Sequence, residues 1–257
     1  MKKTTEAKYK FIISRKEDQV QKIILNRPEK LNSLTLEMID ELGDALQKTS
    51  EGESVRCVVI TGAGDRAFST GADISIFATF TPQFMYHYLR NIGFRIQRLI
   101  ERMEVPVIAM VKGYCIAGGL EIALCCDMII AAEGSKFGLT EINIGGIPGW
   151  GGTVKLPRVI PVRKAKEMIY TGEFIPAEEA YQLGLVNKVV PPEKLEETVK
   201  ELTDKICSKP PGGIKMAKNV IDNSLKIADI DAALALERES VLLIGLLGPR
   251  PEPKKEE

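Results

Sequence analysis

Residues 107–132 read VIAMVKGYCIAGGLEIALCCDMIIAA. Val107–Val111 is an unbroken apolar run of strand length. Lys112-Gly113 interrupts it with a turn, a short helix begins near Gly118-Gly119, and Asp127–Ala132 is apolar and strand-like again. Apolar runs of this length bounded by glycine read as buried strands. The same alternation continues on both sides. Val55–Ile60, VRCVVI, is a buried strand, and residues 82–103 form a long helix whose apolar stripe includes Phe84, Tyr88, Ile92, Ile96 and Leu99. Helices follow around 153–170, and Val186–Val190 is a short strand.

The chain start reads as a hairpin, with strands Tyr9–Ser14 and Val20–Asn26 separated by charged RKED. Pro28 ends the second strand. Thr35 is a predicted N-cap with Glu37 in the first turn, ahead of a helix to about Lys48 striped by Leu36, Ile39, Leu42 and Leu46. From Pro192 onward three helices are predicted, 192–208, 210–227 and 230–247, punctuated by Pro210-Pro211 and Asp229. Strand–helix alternation followed by a run of helices predicts an α/β core over 1–190 with a helical C-terminal region over 191–247. The charged, proline-rich tail 248–257 is expected to be disordered.

Composition narrows the function classes. Lys+Arg and Asp+Glu both number 35, so the net charge is zero and no basic excess marks a nucleic-acid binder. Five cysteines without a CxxC pair indicate neither a disulfide framework nor a zinc site; reduced, buried thiols in a cytoplasmic protein are expected. No apolar run reaches the length of a membrane span, and no apolar segment of signal-peptide length follows the basic start.

Three glycine-rich stretches, 61–73, 113–119 and 145–152, stand out. Gly62–Ala67 fits the letters of a dinucleotide fingerprint, but Phe-Ser-Thr-Gly-Ala-Asp follows instead of a helix. Gly113-x4-Gly118 lacks the Lys-Ser of a P-loop, and no GxSxG elbow occurs. The single histidine, His87, sits within the long helix as a surface or structural residue, so a triad using a histidine base is not expected. Carboxylates remain. Glu121 lies in AGGLEIALCC and Glu141 in FGLTEINIGG, both among apolar residues after glycine-containing segments. The strand between them is able to bring both to one end of a sheet, where two carboxyls of unequal pKa would act on one water as base and acid.

Five segments in order resemble the enoyl-CoA hydratase/isomerase (crotonase) superfamily. They are Asn26-Arg27-Pro28…Leu31-Asn32, Ala67–Ile74 (AFSTGADI), Gly113–Asp127, Phe137-Gly138…Glu141–Gly145…Pro148–Gly152, and Thr171-Gly172…Ala177…Ala180…Gly184-Leu185-Val186. The likeness spans roughly residues 10–247. It implies a ββα spiral core and an enoyl-CoA hydratase adding water syn to a trans-2-enoyl-CoA. It places oxyanion-hole N–H groups at Ala72 and Gly118, the carboxylate that activates water at Glu121, and the proton donor at Glu141. Arg27, Lys30, Leu31, Thr70, Ala72, Asp73, Ile74, Gly118 and Gly149 would contact substrate or CoA, with Lys30 near a phosphate. No metal or separate cofactor is implied, because coenzyme A is part of the substrate. The expected partners are an acyl-CoA thioester and further copies of the chain, in a homotrimer or homohexamer, with no nucleic acid and no membrane. The resemblance leaves open an isomerase, a hydratase of branched or cyclic enoyl-CoA, and an RNA-binding or scaffold role. Two departures are visible. The family's further terminal helix is missing or replaced after Val241–Leu247, and Trp150 stands where smaller residues are common.

Overall fold

The computed structural model describes residues 7–247 other than 53 and 80; the predicted disordered tail, and with it the question of a further terminal helix, lies outside the described residues. The chain opens with strands β1 (Ala7–Lys8), β2 (Ile12–Glu17) and β3 (Val20–Leu25) and helix α1 (Leu36–Ser50). The β2–β3 hairpin runs through the charged segment expected to form its loop: Arg15 pairs with Lys22 and Glu17 with Val20. The turn shrinks to Asp18-Gln19, and Asp18 adopts φ 54°, a conformation that suits a two-residue hairpin. As expected, Thr35 caps α1, its hydroxyl accepting from Met38 N at 3.1 Å.

A unit of two strands and a helix then repeats. β4 (Cys57–Gly62) and β5 (Ala67–Ser69) lead to α2 (Pro82–His87) and α3 (Phe94–Glu101). β6 (Val107–Val111) and β7 (Tyr114–Ile116) lead to α4 (Gly118–Ala123). β8 (Met128–Ala132) and β9 (Lys136–Gly138) lead to α5 (Gly152–Val159) and α6 (Val162–Thr171). The chain closes with β10 (Phe174–Pro176), α7 (Ala177–Gln182), β11 (Lys188–Val190), α8 (Leu195–Cys207), α9 (Pro211–Ser224) and α10 (Ile230–Leu247). In each repeat the first strand enters one sheet and the second enters another, so the backbone winds as a spiral. Among the described residues the large sheet runs β1-β2-β3-β4-β6-β8-β11, parallel from β3 onward, and the small one runs β10-β9-β7-β5.

Both faces of the large sheet are covered, which is why its central strands are apolar throughout rather than alternating. Val58 and Ile60 of β4, with Val107, Ala109 and Val111 of β6, join the main core beneath α1 and α3. Cys57 and Val59, with Ile108 and Met110, face the other way, against Leu195 and Val199 of α8. The first C-terminal helix therefore packs as a layer of the α/β core. Cys57, Cys115 and Cys125 are buried free thiols.

The helix predicted over 82–103 is present but not uniform. Between α2 and α3, residues Tyr88–Gly93 widen into a π-type turn, with Phe94 N donating to Leu89 O. Such turns are uncommon and concentrate at functional sites.

α9 is fastened to the core by charge. Lys218 pairs with Asp127 and, at 3.1 Å, with Asp222, while Asp127 Oδ2 accepts from Val107 N at 2.7 Å. Burial pushes the Asp127 carboxyl up, against the pull of Lys218. Lys218→Met leaves that carboxylate without its cation and should lower stability at pH 8 by about 2–3 kcal/mol, between the surface and buried ion-pair ranges. The loss, read as a melting-temperature shift, should shrink as pH falls and Asp127 takes up a proton.

Candidate active site

Glu121 sits in the first turn of α4 and is only 3 % exposed. Its Oε1 accepts two main-chain hydrogen bonds, from Trp150 N at 2.7 Å and Gly152 N at 2.8 Å. Gly151 between them has φ +100°, a conformation open to glycine, and this turn aims both N–H groups at one oxygen. Glu141 follows β9 in a short helical turn, Glu141–Ile144, and its Oε2 is buried with no hydrogen-bond partner among the described residues. Both carboxyls line one cavity of about 220 Å³.

Burial raises both groups, Glu121 to about 8, with the charge of Glu141 adding to its shift, and Glu141 to about 7. Two carboxyls coupled this way titrate as a pair and share one proton near neutrality. Hydrogen bonding decides where that proton rests. Two amide donors favour the charge on Glu121, whereas Glu141 receives one, its own main-chain N–H. With the proton on Glu141, one of the causes that raise Glu121 disappears.

A second feature faces the same cavity. Leu34 N donates to Gly71 O, and Asp73 N donates to Leu34 O. This bridge passes over the N–H of Ala72, which finds no acceptor among the described residues. Gly118 N, at the start of α4, likewise has no acceptor among them. The two amides are close neighbours: a Cβ built on Gly118 would lie 3.6 Å from Ala72 N. The preceding residue, Ala117, holds φ 49°, ψ −131°, a disfavoured conformation for a residue with a side chain, fixed by its own N–H on Gly138 O at 2.8 Å. Free N–H groups so placed stabilise negative charge developing on an oxygen between them.

Behind Ala72 stands a buried polar scaffold. Asn32, fully buried with φ 54°, accepts from Arg27 N at 2.9 Å and donates to Ala63 O and Ala67 O at 3.0 and 2.8 Å. Ser69 Oγ donates to Asn32 O at 2.8 Å and accepts from Gly71 N at 3.1 Å.

Residues 15–241 match the family model described as enoyl-CoA hydratase/isomerase. The chain belongs to the enoyl-CoA hydratase/isomerase family. It is 38% identical over 232 residues to the crotonyl-CoA hydratase of Syntrophomonas wolfei, covering 90% of this chain and 88% of that one. It is 38% identical over 229 residues to the short-chain-enoyl-CoA hydratase of Clostridium acetobutylicum, covering 89% and 87%. The crystal structure of enoyl-CoA hydratase from Bacillus anthracis superimposes with a TM-score of 0.88 at 38% identity, over 93% of this chain and 92% of that chain. The spiral α/β fold expected from the sequence is the fold of this family.

Of the residues singled out in the sequence, Thr70, Ala72, Ile74, Gly118, Glu121, Glu141 and Gly149 line the family member's cavity. Arg27, Lys30, Leu31 and Asp73 do not line it. Arg27 and Asp73 are spent on each other: the guanidinium pairs with the Asp73 carboxylate and also donates to Ser33 Oγ at 2.8 Å. Hydrogen bonds from Ser75, with the Arg27 guanidinium, hold Asp73 well below the usual carboxylate range. Lys30 is exposed on the turn Pro28–Lys30, which Leu31 closes in a left-handed conformation. His87 is exposed, with Nδ1 2.9 Å from Asn91 Nδ2, as its position on the helix predicted. Among the described residues no group of three His, Cys, Asp or Glu is placed to hold a metal ion.

Sequence reasoning missed the site role of Tyr88, Met85 and Leu89 from the long helix and of Ile144 and Ile147 from the third glycine-rich stretch, all of which line the cavity. Tyr88 carried a signal, as a member of the buried stripe. The amide grip on Glu121 carried none, because it is made by main chain.

Gly71 has φ +82°, and a Cβ there would lie 2.6 Å from Gly118 N. Gly71→Ala should push the two amides apart and lower kcat by about 10²–10³, the loss seen on removing one such donor, while far-UV circular dichroism stays native.

Proposed function

We propose that the chain is an enoyl-CoA hydratase that adds water across the C2–C3 double bond of a trans-2-enoyl-CoA thioester, or removes it in reverse. The observation that carries this reading is that two carboxyls, one buried and one half-buried, and two amides with no acceptor among the described residues border one cavity. In the hydration direction Glu121, ionised and fixed by its amides, takes a proton from water as the oxygen attacks C3. The electrons of the double bond shift onto the thioester oxygen, held by the N–H groups of Ala72 and Gly118. Glu141 then delivers its proton to C2. Glu121 ends protonated and Glu141 ionised, and one proton returned through solvent resets the pair. The reaction calls for no metal and no redox cofactor, because the thioester itself makes C3 electrophilic and C2 acidic. Lys30, exposed beside the N-terminal turn, is the candidate contact for a CoA phosphate.

The same proposal covers assembly and location. α10 carries exposed Leu234, Val241, Leu242, Leu243 and Ile244, a surface suited to burial between copies in a homotrimer or homohexamer. The helices beyond α8 would then form the assembly region. No described helix is long and apolar enough to cross a membrane, and a cytoplasmic enzyme is the reading we adopt.

Glu121→Gln and Glu141→Gln should each lower kcat on crotonyl-CoA by about 10²–10⁴, with binding of a saturated acyl-CoA kept. Unchanged turnover in either variant rejects the mechanism. The pH profile follows from the raised carboxyls. Activity should fall in acid once both are protonated and the base is lost, and in alkali once both are ionised and the acid is lost. The acid limb should lie well above the pH at which an ordinary glutamate titrates. Steady-state rates between pH 5 and pH 10 test this.

A further inference from the structure

Trp150 is the chain's single tryptophan and is 4 % exposed. Its indole packs on the Tyr88 ring, centroids 5.6 Å apart at 39°, and Tyr88 stacks on Phe84 at 6.0 Å and 17°. The π-type turn makes room for this stack: a Cβ on Gly93 would lie 2.3 Å from the indole Cδ1 and Nε1. The ring therefore rests against bare backbone. Trp150 and Tyr88 both line the cavity, beside aliphatic Met85, Leu89 and Ile144.

The wall is tied to the chemistry by a short path. One of the two main-chain N–H groups that hold Glu121 belongs to Trp150 itself, so the indole ring begins three bonds from a donor nitrogen that fixes the carboxyl. Tyr88 and Trp150 therefore border the same cavity as Glu121 and Glu141. A ring that contains both C2 and C3 folds back on itself and presents a flat face. The volume agrees: a cavity of about 150 Å³ accepts one benzene ring, and the 220 Å³ here leaves space for the thioester carbonyl.

We infer that Tyr88 and Trp150 are specificity-determining residues that select a small, flat, unsaturated six-membered ring as the acyl group. For the reaction this rests on the hydratase reading; for binding it does not. Each ring-on-ring contact favours a planar ligand by about twofold to tenfold over aliphatic contact of similar area.

The test uses the intact chain and its own tryptophan. Benzoyl-CoA, planar and unreactive, and heptanoyl-CoA, with the same number of acyl carbons, are titrated against Trp150 fluorescence. A cavity that only measured apolar area would hold the longer, more flexible chain at least as well. Benzoyl-CoA should bind about tenfold more tightly in the wild type. In Tyr88→Leu the two affinities should come within about threefold of each other. The kcat/KM ratio of cyclohexene-1-carbonyl-CoA to trans-2-heptenoyl-CoA should favour the ring in the wild type and fall in parallel in the variant. Equal or tighter binding of heptanoyl-CoA by the wild type overturns the inference, and that measurement decides even if Tyr88→Leu does not fold. A folded Tyr88→Leu that keeps the wild-type ratio overturns it too. Benzoyl preference without hydration of any enoyl-CoA rejects the hydratase reading and leaves the aromatic wall standing. Hydration without ring preference does the reverse.

Discussion

One buried carboxylate oxygen organises the catalytic half of this molecule. Glu121 Oε1 receives the N–H groups of Trp150 and Gly152, and a charge at that depth is tolerable only because the donors are supplied. The contact joins the start of α4, which comes from the second repeat of the spiral, to the glycine turn that opens α5, which comes from the third. Closing it holds the turn that carries Trp150 against the start of α4. The site thus depends on agreement between two segments about thirty residues apart, rather than on any local motif.

The amide half is held from the other side. Asn32 joins the N-terminal turn to the loop after β4 and to β5, and through Ser69 reaches Gly71. The Arg27–Asp73 pair runs alongside, anchoring the residue that follows Ala72. Arg27 and Asp73, which the family resemblance linked to substrate or CoA contact, thereby have a structural role as well. They keep the loop bearing Ala72 pressed against α4, so that a free N–H survives beside Gly118. The strain at Ala117 belongs to the same arrangement, since relaxing it would turn the first amide of α4 away.

Much of this was legible in the amino acids. Apolar strands such as Val107–Val111, the cap at Thr35 and the three C-terminal helices lie close to where the pattern puts them, because burial on both faces and side-chain capping leave direct traces in composition. Glu121 and Glu141 were visible as acids out of place among apolar neighbours. The small sheet was not. β5, β7, β9 and β10 are three residues each, too short to show a period, and their pairing is decided by the spiral. The hairpin continued through charged residues because, among the described residues, β1 pairs only with Ile13 and Ser14 of β2, leaving Arg15–Glu17 on the outer border of the sheet. The π-type turn and the left-handed Asn32 are main-chain conformations imposed by packing, with no side-chain code.

The extra residue accommodated in Tyr88–Gly93 has a consequence for how such a pocket can change. A helix advances by about 100° per residue. An extra residue in regular winding would turn everything before it by that angle; the wide turn absorbs it, so deleting one position would leave the flanking helices in phase but remove the widening that seats the Trp150 ring against Gly93, without altering a single chemical group at the reacting end. Length variation here therefore separates evolution of what is bound from preservation of how it is transformed.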